Sequence, residues 1–246
     1  MPELPRVNIL GVGISAINLQ QAVDTIARWI AAAEREYVNV CTVHTVMECQ
    51  NDGRLRQIVN DSGLSTPDGM PLVWLNRFNG HRGAGRVYGP DLMLAACDQL
   101  RRIGARHIFY GGAPGDAERL AGRLEARYPG LAVAGTHSPP YRAADAEEDG
   151  DVLAAINAAR PDIVWVGLGA PKQDYWVSRH RPRLEAPALV AVGAAFDFHA
   201  GLMRQAPRWM QRSGLEWLFR LANEPGRLWK RYLVNNPLFI KAFDKK

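Results

Sequence analysis

The chain has 246 residues, 47% of them apolar, and 30 Lys and Arg against 25 Asp and Glu give a formal charge of +5. This composition fits a globular α/β protein of one large or two small domains, and no apolar run reaches the roughly 18 residues of a membrane span. The first residues lack a signal-peptide pattern, and the spacing of three cysteines matches neither a zinc site nor a disulfide framework, so we expect reduced core thiols.

Strand-like and helix-like patterns alternate along the chain. Residues 7–17 predict a strand or hairpin, and Asn18 with Gln21 predicts a capping box that begins a helix ending near Ala33. The alternation predicts an α/β, Rossmann-like fold with a mostly parallel sheet and helices on both faces. Further strands are predicted at 37–43, 64–66, 106–110, 131–135, 162–166 and 188–192, and further helices at 45–51, 54–61, 72–78, 90–103, 116–128 and 145–160.

The composition changes near Arg204, where a basic, aromatic and helical segment begins. Residues 204–246 carry ten Lys and Arg against three acidic residues, whereas residues 1–203 carry twenty against twenty-two. Arginine mixed with tryptophan on amphipathic helices suits an anionic membrane surface, and nucleic acid or a partner protein stay open as alternatives. We therefore expect an α/β domain at 1–203 and a helical C-terminal appendage at 204–246.

Polar motifs follow several predicted strands at their carboxyl ends, where open α/β sheets bind ligands. The clearest is Gly167-Leu-Gly-Ala-Pro-Lys-Gln173, which ends a buried strand and begins a helix with Pro171 suited to its first position. Backbone N–H groups at such a turn attract anions such as phosphate. Together the motifs predict a pocket for a nucleotide diphosphate. The others are Thr42-Val-His44, Pro67-Asp-Gly69, Gly111-Gly112 and Ala194-Ala-Phe-Asp-Phe-His-Ala-Gly201.

Asp68 is a carboxylate placed for chemistry in that pocket. As a general base it would have to reach a substrate hydroxyl within about 2.6–3.2 Å. An aspartate between proline and glycine, where a strand meets a helix, is also a common turn or N-cap residue. Both interpretations stay open from the residues alone.

Two motif matches are rejected. Gly11-Val-Gly-Ile-Ser-Ala16 fits the dinucleotide fingerprint, but the helix signal comes only at Asn18. Asp149-Gly-Asp151 resembles a metal-binding D-x-D motif, but it lies in an acidic run with no apolar strand before it. No His, Cys, Asp or Glu cluster has metal-ligand spacing, so we expect neither a metal nor a cofactor.

Six ordered motifs, spread over nearly the whole chain, resemble the WecG/TagA/CpsF family of glycosyltransferases. The segments Val43-His-Thr-Val-Met-Glu48 and Thr136-His-Ser-Pro-Pro-Tyr141 resemble its exopolysaccharide branch, which includes xanthan-type glucosyltransferases. The six motifs are Pro67-Asp-Gly-Met-Pro71, Val87-Tyr-Gly-Pro-Asp-Leu92, Gly167-Leu-Gly-Ala-Pro-Lys-Gln173, Gly193-Ala-Ala-Phe-Asp-Phe-His-Ala-Gly201, Arg204-Gln-Ala-Pro-Arg-Trp209 and Leu215-Glu-Trp-Leu-Phe-Arg220.

The resemblance implies an inverting, metal-independent transfer of a sugar from a UDP-sugar to a saccharide on undecaprenyl diphosphate. The donor sugar would be N-acetylmannosamine, its uronic acid or glucose. The catalytic domain would be cytoplasmic, and the basic segment would dock it peripherally on the anionic inner face of the cell membrane; a homo-oligomer is possible. The alternative is a non-catalytic nucleotide or nucleic-acid binder; for the transferase we expect no nucleic-acid partner.

The family's site residues carry over onto matching positions of this sequence. Asp68 would be the catalytic base, and Arg220 and Arg227 would stabilise the departing diphosphate. His44 departs from the family's usual asparagine, and Asp174 from its usual glutamate, so that Asp174 is expected to orient the turn. From the resemblance and the strand-end motifs, the expected substrate contacts are Thr42, His44, Arg86, Gly111, Gly112, Gly169, Lys172, Gln173, Lys230 and Arg231.

Overall fold

The computed structural model describes residues 4–139 and 150–243, with four of these described by backbone alone: Arg227, Lys230, Arg231 and Phe243. The chain begins with an antiparallel hairpin of β1 (Arg6–Ile9) and β2 (Val12–Ser15). Its two turn residues, Leu10 and Gly11, have φ of 54° and 83°, the left-handed conformation that a tight two-residue hairpin turn requires. The rejected dinucleotide match therefore lies in a hairpin, and its rejection is confirmed.

The predicted α/β fold is confirmed by a parallel sheet of six strands. Their order across the sheet is β4-β3-β8-β7-β5-β6. Successive side chains of one strand point to opposite faces; on β7, Trp165 packs into one apolar cluster and Val164 and Val166 into another. The strands are β3 (Glu36–Cys41), β4 (Leu64–Pro67), β5 (Arg106–Gly111), β6 (Ala132–His137), β7 (Ile163–Gly167) and β8 (Ala188–Ala191).

Helices cover both faces of the sheet. The first begins at the predicted capping box, in which Asn18 Oδ1 accepts from the Gln21 N–H at 3.0 Å and Gln21 Oε1 accepts from the Asn18 N–H at 2.9 Å. The helices before the appendage are α1 (Leu19–Ala32), α2 (Val43–Asn51), α3 (Gly53–Asp61), α4 (Met70–Phe78), α5 (Gly89–Leu100), α6 (Asp116–Arg127), α7 (Gly150–Ala158), α8 (Lys172–His180) and α9 (Ala195–His199), with a 3-10 turn at Arg101–Ile103.

The C-terminal appendage is helical, as predicted, and it packs on the body. Its helices are α10 (Arg208–Arg212), α11 (Glu216–Asn223), α12 (Pro225–Trp229) and α13 (Asn235–Phe243), with a π-helical stretch at Lys230–Val234. Phe239 of α13 is 6% exposed and joins a cluster with Leu72 of α4 and Val46 of α2. No helix among the described residues is long and apolar enough to cross a membrane.

Element boundaries differ from the predictions in a few places. Helix α8 begins at Lys172 with Pro171 at its N-cap, one residue later than predicted. Positions 145–149 of the helix predicted at 145–160 lie outside the described residues, as does Asp149 of the rejected D-x-D match, and α7 ends at Ala158. The three cysteines are unpaired and buried, as expected of core thiols.

Candidate active site

Asp68 lies at the carboxyl end of β4, directly before α4. Its backbone N–H donates to the carbonyl of Cys41, the last residue of β3, at 2.8 Å, and the Val87 N–H donates to the carbonyl of Pro67 at 2.9 Å. The next residue, Gly69, has φ of 109°, a conformation that favours glycine. The sharp turn between strand and helix therefore fixes Asp68 from both sides at the rim of the sheet.

Arg86 joins the Asp68 carboxylate to a second carboxylate from the appendage. Its Nε and Nη2 donate to Asp68 Oδ1 at 3.1 and 2.9 Å, and Nη2 also donates to Glu216 Oε2 at 2.5 Å. The three side chains are only 12–16% exposed. The guanidinium stacks over the ring of Tyr88, 4.0 Å from its centroid. One cation thus holds two carboxylates that lie 148 positions apart in the sequence.

Burial raises the pKa of the Asp68 carboxyl above its ordinary value. The Arg86 charge opposes this shift, Glu216 reinforces it, and Arg220 opposes it more weakly. Burial alone would lower the pKa of Arg86, but Asp68 and Glu216 raise it, so this guanidinium stays charged. A carboxylate with raised proton affinity beside a permanent cation is suited to accept a proton from a hydroxyl.

A cavity of about 660 Å³ opens over this ion cluster. The body contributes the first turns of α2 and the exposed side of α4, and the appendage contributes α11 and α13. Of the residues expected in a site, it brings together Thr42, His44, Asp68, Arg86 and Arg220. Its volume falls within the range of small-molecule pockets.

Arg220 enters the cavity from α11. Its guanidinium carbon lies 5.9 Å from the centre of the Phe198 ring. Burial alone would lower its pKa, but the acidic groups around it, among them Glu216 and Asp68, raise it. Its buried Nε has no hydrogen-bond partner among the described residues. A charged donor left unsatisfied at the wall of a cavity is suited to an anionic ligand.

Thr42 and His44 line the cavity and also hold local structure. Thr42 is the N-cap of α2, and its Oγ1 accepts from the Thr45 N–H at 3.3 Å. His44 Nδ1 lies 2.8 Å from Asn235 Nδ2 of α13, an arrangement in which the amide donates to the ring nitrogen. His44 therefore ties the appendage to the body at the edge of the cavity.

The glycine-rich part of the predicted site lies elsewhere on the same rim. Adjacent strands lie about 4.8 Å apart, so β7, three places from β4, is roughly 14 Å away. The Gly169 N–H donates to Gln173 Oε1 at 3.2 Å and is used within the turn. The wall of the Asp68 cavity does not include the expected contacts that follow β5 and β7, namely Gly111, Gly112, Gly169, Lys172 and Gln173.

Gln173 and Asp174 are buried at the start of α8. Asp174 Oδ1 accepts from Asn39 Nδ2 of β3 at 2.6 Å, so the carboxylate anchors the helix to the sheet. Burial raises the pKa of Asp174 to about 7. The expected role of Asp174 in orienting the turn stays a prediction.

The other expected cations lie on α12 and the π-helical stretch. A new helix, α12, begins at Pro225 after α11 ends at Asn223. The side chains of Arg227, Lys230 and Arg231 lie outside the described part of the structure. Within residues 4–139 and 150–243, no group of three or more His, Cys, Asp or Glu is arranged to hold a metal ion.

Residues 7–245 match the model of the glycosyl transferase WecG/TagA/CpsF family. The chain belongs to this family. It is therefore a glycosyltransferase, and the alternative of a non-catalytic binding protein is wrong.

Two curated relatives of this chain carry the same enzyme name. One is the N-acetylglucosaminyldiphosphoundecaprenol N-acetyl-beta-D-mannosaminyltransferase of Bacillus spizizenii, 28% identical over 80% of this chain and 74% of that protein. A second, of the same name, comes from Staphylococcus aureus strain MRSA252 and is 27% identical over 98% of this chain and 92% of that protein.

Two cavity residues of this glycosyltransferase were missed in the sequence. Glu216 lies in the Leu215–Arg220 motif and Tyr88 in the Val87–Leu92 motif, but only the arginine of the first was given a role. The proximity of Glu216 to Asp68 depends on how the appendage folds back, which no local pattern encodes. The hydroxyl of Tyr88 is buried without a hydrogen-bond partner among the described residues, so it is a further polar group available to a ligand.

Proposed function

We propose that this enzyme is an inverting transferase that moves a sugar from a UDP-sugar to a saccharide on undecaprenyl diphosphate. The observation that carries the proposal is the Asp68 carboxylate, which is 14% exposed and is held by Arg86 in a cavity that Arg220 also lines. The activity named for the two relatives supports a lipid-linked acceptor and, as donor sugar, N-acetylmannosamine. Its uronic acid and glucose are the other donors of the proposal, in exopolysaccharide synthesis.

The chemistry is a single displacement. Asp68 accepts the proton of the acceptor hydroxyl while that oxygen attacks the anomeric carbon of the donor. The bond from the anomeric carbon to the diphosphate oxygen breaks, and UDP leaves with the bonding electron pair. Because attack and departure occur on opposite faces, the configuration inverts. Asp68 is the base and Arg220 stabilises the charge that develops on the diphosphate, which needs no metal in this scheme.

The nucleotide end of the donor is assigned to the glycine-rich rim. A UDP-sugar is elongated, so it can place its sugar at Asp68 and its nucleotide over the carboxyl ends of β7 and β5. Gly111 is the last residue of β5, and Gly169 lies in the turn that follows β7. A Cβ on Gly111 would lie 2.5 Å from the Gly167 carbonyl oxygen, so this approach of two strand ends requires glycine. The remaining proposed substrate contacts are Gly112, Lys172, Gln173, Thr42, His44 and Arg86, with Arg227, Lys230 and Arg231 as further cations from the appendage.

Docking on the anionic inner face of the membrane is assigned to residues 204–246, which also bring Arg220 to the catalytic domain of residues 1–203. Trp209, between Arg208 and Arg212 on α10, is 63% exposed, and Leu218 of α11 is 48% exposed. Apolar side chains beside arginines gain both burial in the lipid and attraction to anionic headgroups. This surface supports peripheral attachment of the enzyme to the membrane. In a homo-oligomer, a second copy of the chain would bury the same side chains instead.

The proposal is tested by incubating the chain with UDP-N-acetylmannosamine, its uronic acid or UDP-glucose and a synthetic N-acetylglucosaminyl diphosphate lipid. We expect one donor to give a lengthened lipid-linked saccharide with inverted configuration, with UDP released in equal amount. Mass spectrometry and proton NMR of the product check both points. Retention of configuration, or no product from any donor, contradicts the proposal.

The pH dependence of the reaction tests the electrostatics of the base. Asp68 works only when ionised, so kcat/KM falls as the pH drops through its pKa. Glu216 raises that pKa, and Glu216→Gln removes its negative charge while leaving an amide oxygen for Arg86. The pKa of Asp68 then falls, and we expect the acid limb of the kcat/KM profile to move to lower pH.

The control for this shift is Glu34→Gln, because Glu34 is a surface partner of Arg28. Its pH profile should match that of the unmodified chain. An acid limb that stays in place in Glu216→Gln, or that moves to higher pH, contradicts the assignment of Asp68 as the titrating base.

A further inference from the structure

One side of the Asp68 cavity is apolar and open. Trp74 and Phe78, four residues apart on α4, both line it and are 44% and 86% exposed. The same helix buries Leu72 and Val73 against the core, so its two large aromatic side chains occupy the outer face. These two exposed aromatic side chains of the body have no role in the reaction described above.

The appendage supplies the opposite wall of this apolar side. Leu215, Trp217 and Ile240 line the cavity there, and Leu215 and Ile240 are 38% and 64% exposed. A Cβ on Gly214 would lie 3.4 Å from the ring of Trp74, so the turn before α11 touches the aromatic face of α4. We call the channel between these walls the α4 groove; it runs from Asp68 to solvent.

The other side of Arg86 has the opposite character. There a second cavity of about 950 Å³ is lined by four further arginines, two on α6 and two on α10, and a single aspartate, Asp91. Among the described residues, Arg123, Arg127, Arg208 and Arg212 form no ion pair with a carboxylate. Hydrocarbon is disfavoured beside so many charges, so an apolar chain that starts near Asp68 has its favourable path through the α4 groove.

We infer that the α4 groove binds the first isoprene units of the acceptor lipid. This inference rests on the proposed function, because only a lipid-linked acceptor places its hydroxyl at Asp68 and a hydrocarbon chain within reach of the cavity mouth. The acceptor sugar then lies over Asp68, its diphosphate lies nearer the mouth of the cavity, and the polyprenyl chain leaves between Phe78 and Ile240. Trp74 and Phe78 thereby select for a lipid-linked acceptor over a soluble one.

The test compares Phe78→Ser with the unmodified chain on two acceptors dispersed in detergent. One carries a long polyprenyl chain, and the other carries the same sugar diphosphate on a short, water-soluble alkyl group. We expect KM for the long-chain acceptor to rise roughly 10-fold, the effect of removing a large apolar contact, and KM for the short-chain acceptor to stay unchanged. Trp74→Ser should act in the same direction. Because Phe78 is almost fully exposed, its replacement leaves the core intact.

Ile103→Ser is the matched control, since Ile103 is 61% exposed on the 3-10 turn and lines neither cavity. Equal KM changes for both acceptors, or none in Phe78→Ser, overturn the inference. A defect on vesicles that is absent in detergent also overturns it, because it assigns Phe78 to the bilayer surface. If the unmodified chain transfers sugar to neither acceptor, the proposed function itself fails, and this outcome is distinct from the others.

Discussion

Asp68→Asn is expected to lower kcat by about 10²- to 10⁴-fold, the usual contribution of a positioned base. The amide has nearly the same shape and still accepts a hydrogen bond from Arg86, but it cannot take the proton of the acceptor hydroxyl. Arg86 keeps its ion pair with Glu216, so the substitution leaves no unpaired buried cation. Product formation under saturating donor and acceptor measures the effect, and circular dichroism and thermal melting check the fold.

Asp24→Asn is the matched control, because Asp24 is an exposed residue of α1 whose carboxylate accepts only from Gln20 at 2.8 Å in the described contacts. It should keep full activity. If Asp68→Asn also keeps full activity, the base is another group and the mechanism proposed above is wrong.

Arg220→Ala is expected to lower kcat by about 10²- to 10³-fold, as for removal of one donor from a site that stabilises developing negative charge. Arg220 contacts the cavity from α11 and has an unsatisfied buried Nε, so its loss removes positive charge where the diphosphate departs. Binding to vesicles that contain phosphatidylglycerol should be unchanged, because the exposed side of the appendage is untouched. Transfer assays and vesicle sedimentation measure the two properties separately.

Trp209→Ser is the companion variant and should behave in the opposite way. It removes a 63% exposed side chain from α10, so vesicle binding should weaken while transfer to a detergent-dispersed acceptor stays normal. Arg102→Ala, on the 3-10 turn of the body, should change neither property. Loss of both properties in Arg220→Ala would mean that this arginine maintains the structure of the appendage, and near-normal kcat would remove it from the mechanism.

Local signals accounted for most of the fold. The capping box at Asn18 and Gln21 fixed the start of α1, because its two hydrogen bonds depend on residues three positions apart. Buried apolar runs followed by glycine marked β5 and β7 together with their carboxyl ends. The order of the strands was not predicted, since pairing of β3 with β8 joins residues some 150 positions apart.

The site was only partly predictable for the same reason. The motif around Asp68 placed it at a strand end, but its bridge through Arg86 to Glu216 spans 148 positions and forms only when the appendage folds over the body. Trp74 and Phe78 fitted a helical pattern, and nothing in that pattern separates a core face from an open one. The glycine-rich turns and Asp68 share a rim, but the strand order sets them apart.

The appendage is attached to the body by an ion cluster and by apolar contacts, which contribute unequally to its stability. Burying Arg86, Asp68 and Glu216 removes their hydration, and their mutual attraction does little more than offset this loss of free energy. Exposing all three side chains together therefore costs little free energy. Closure then depends mainly on apolar contacts such as those of Phe239 and Leu228, which are 6% and 3% exposed. Because apolar contacts are little affected by salt and weaken on cooling, we expect the attachment of the appendage to tolerate salt and to weaken in the cold.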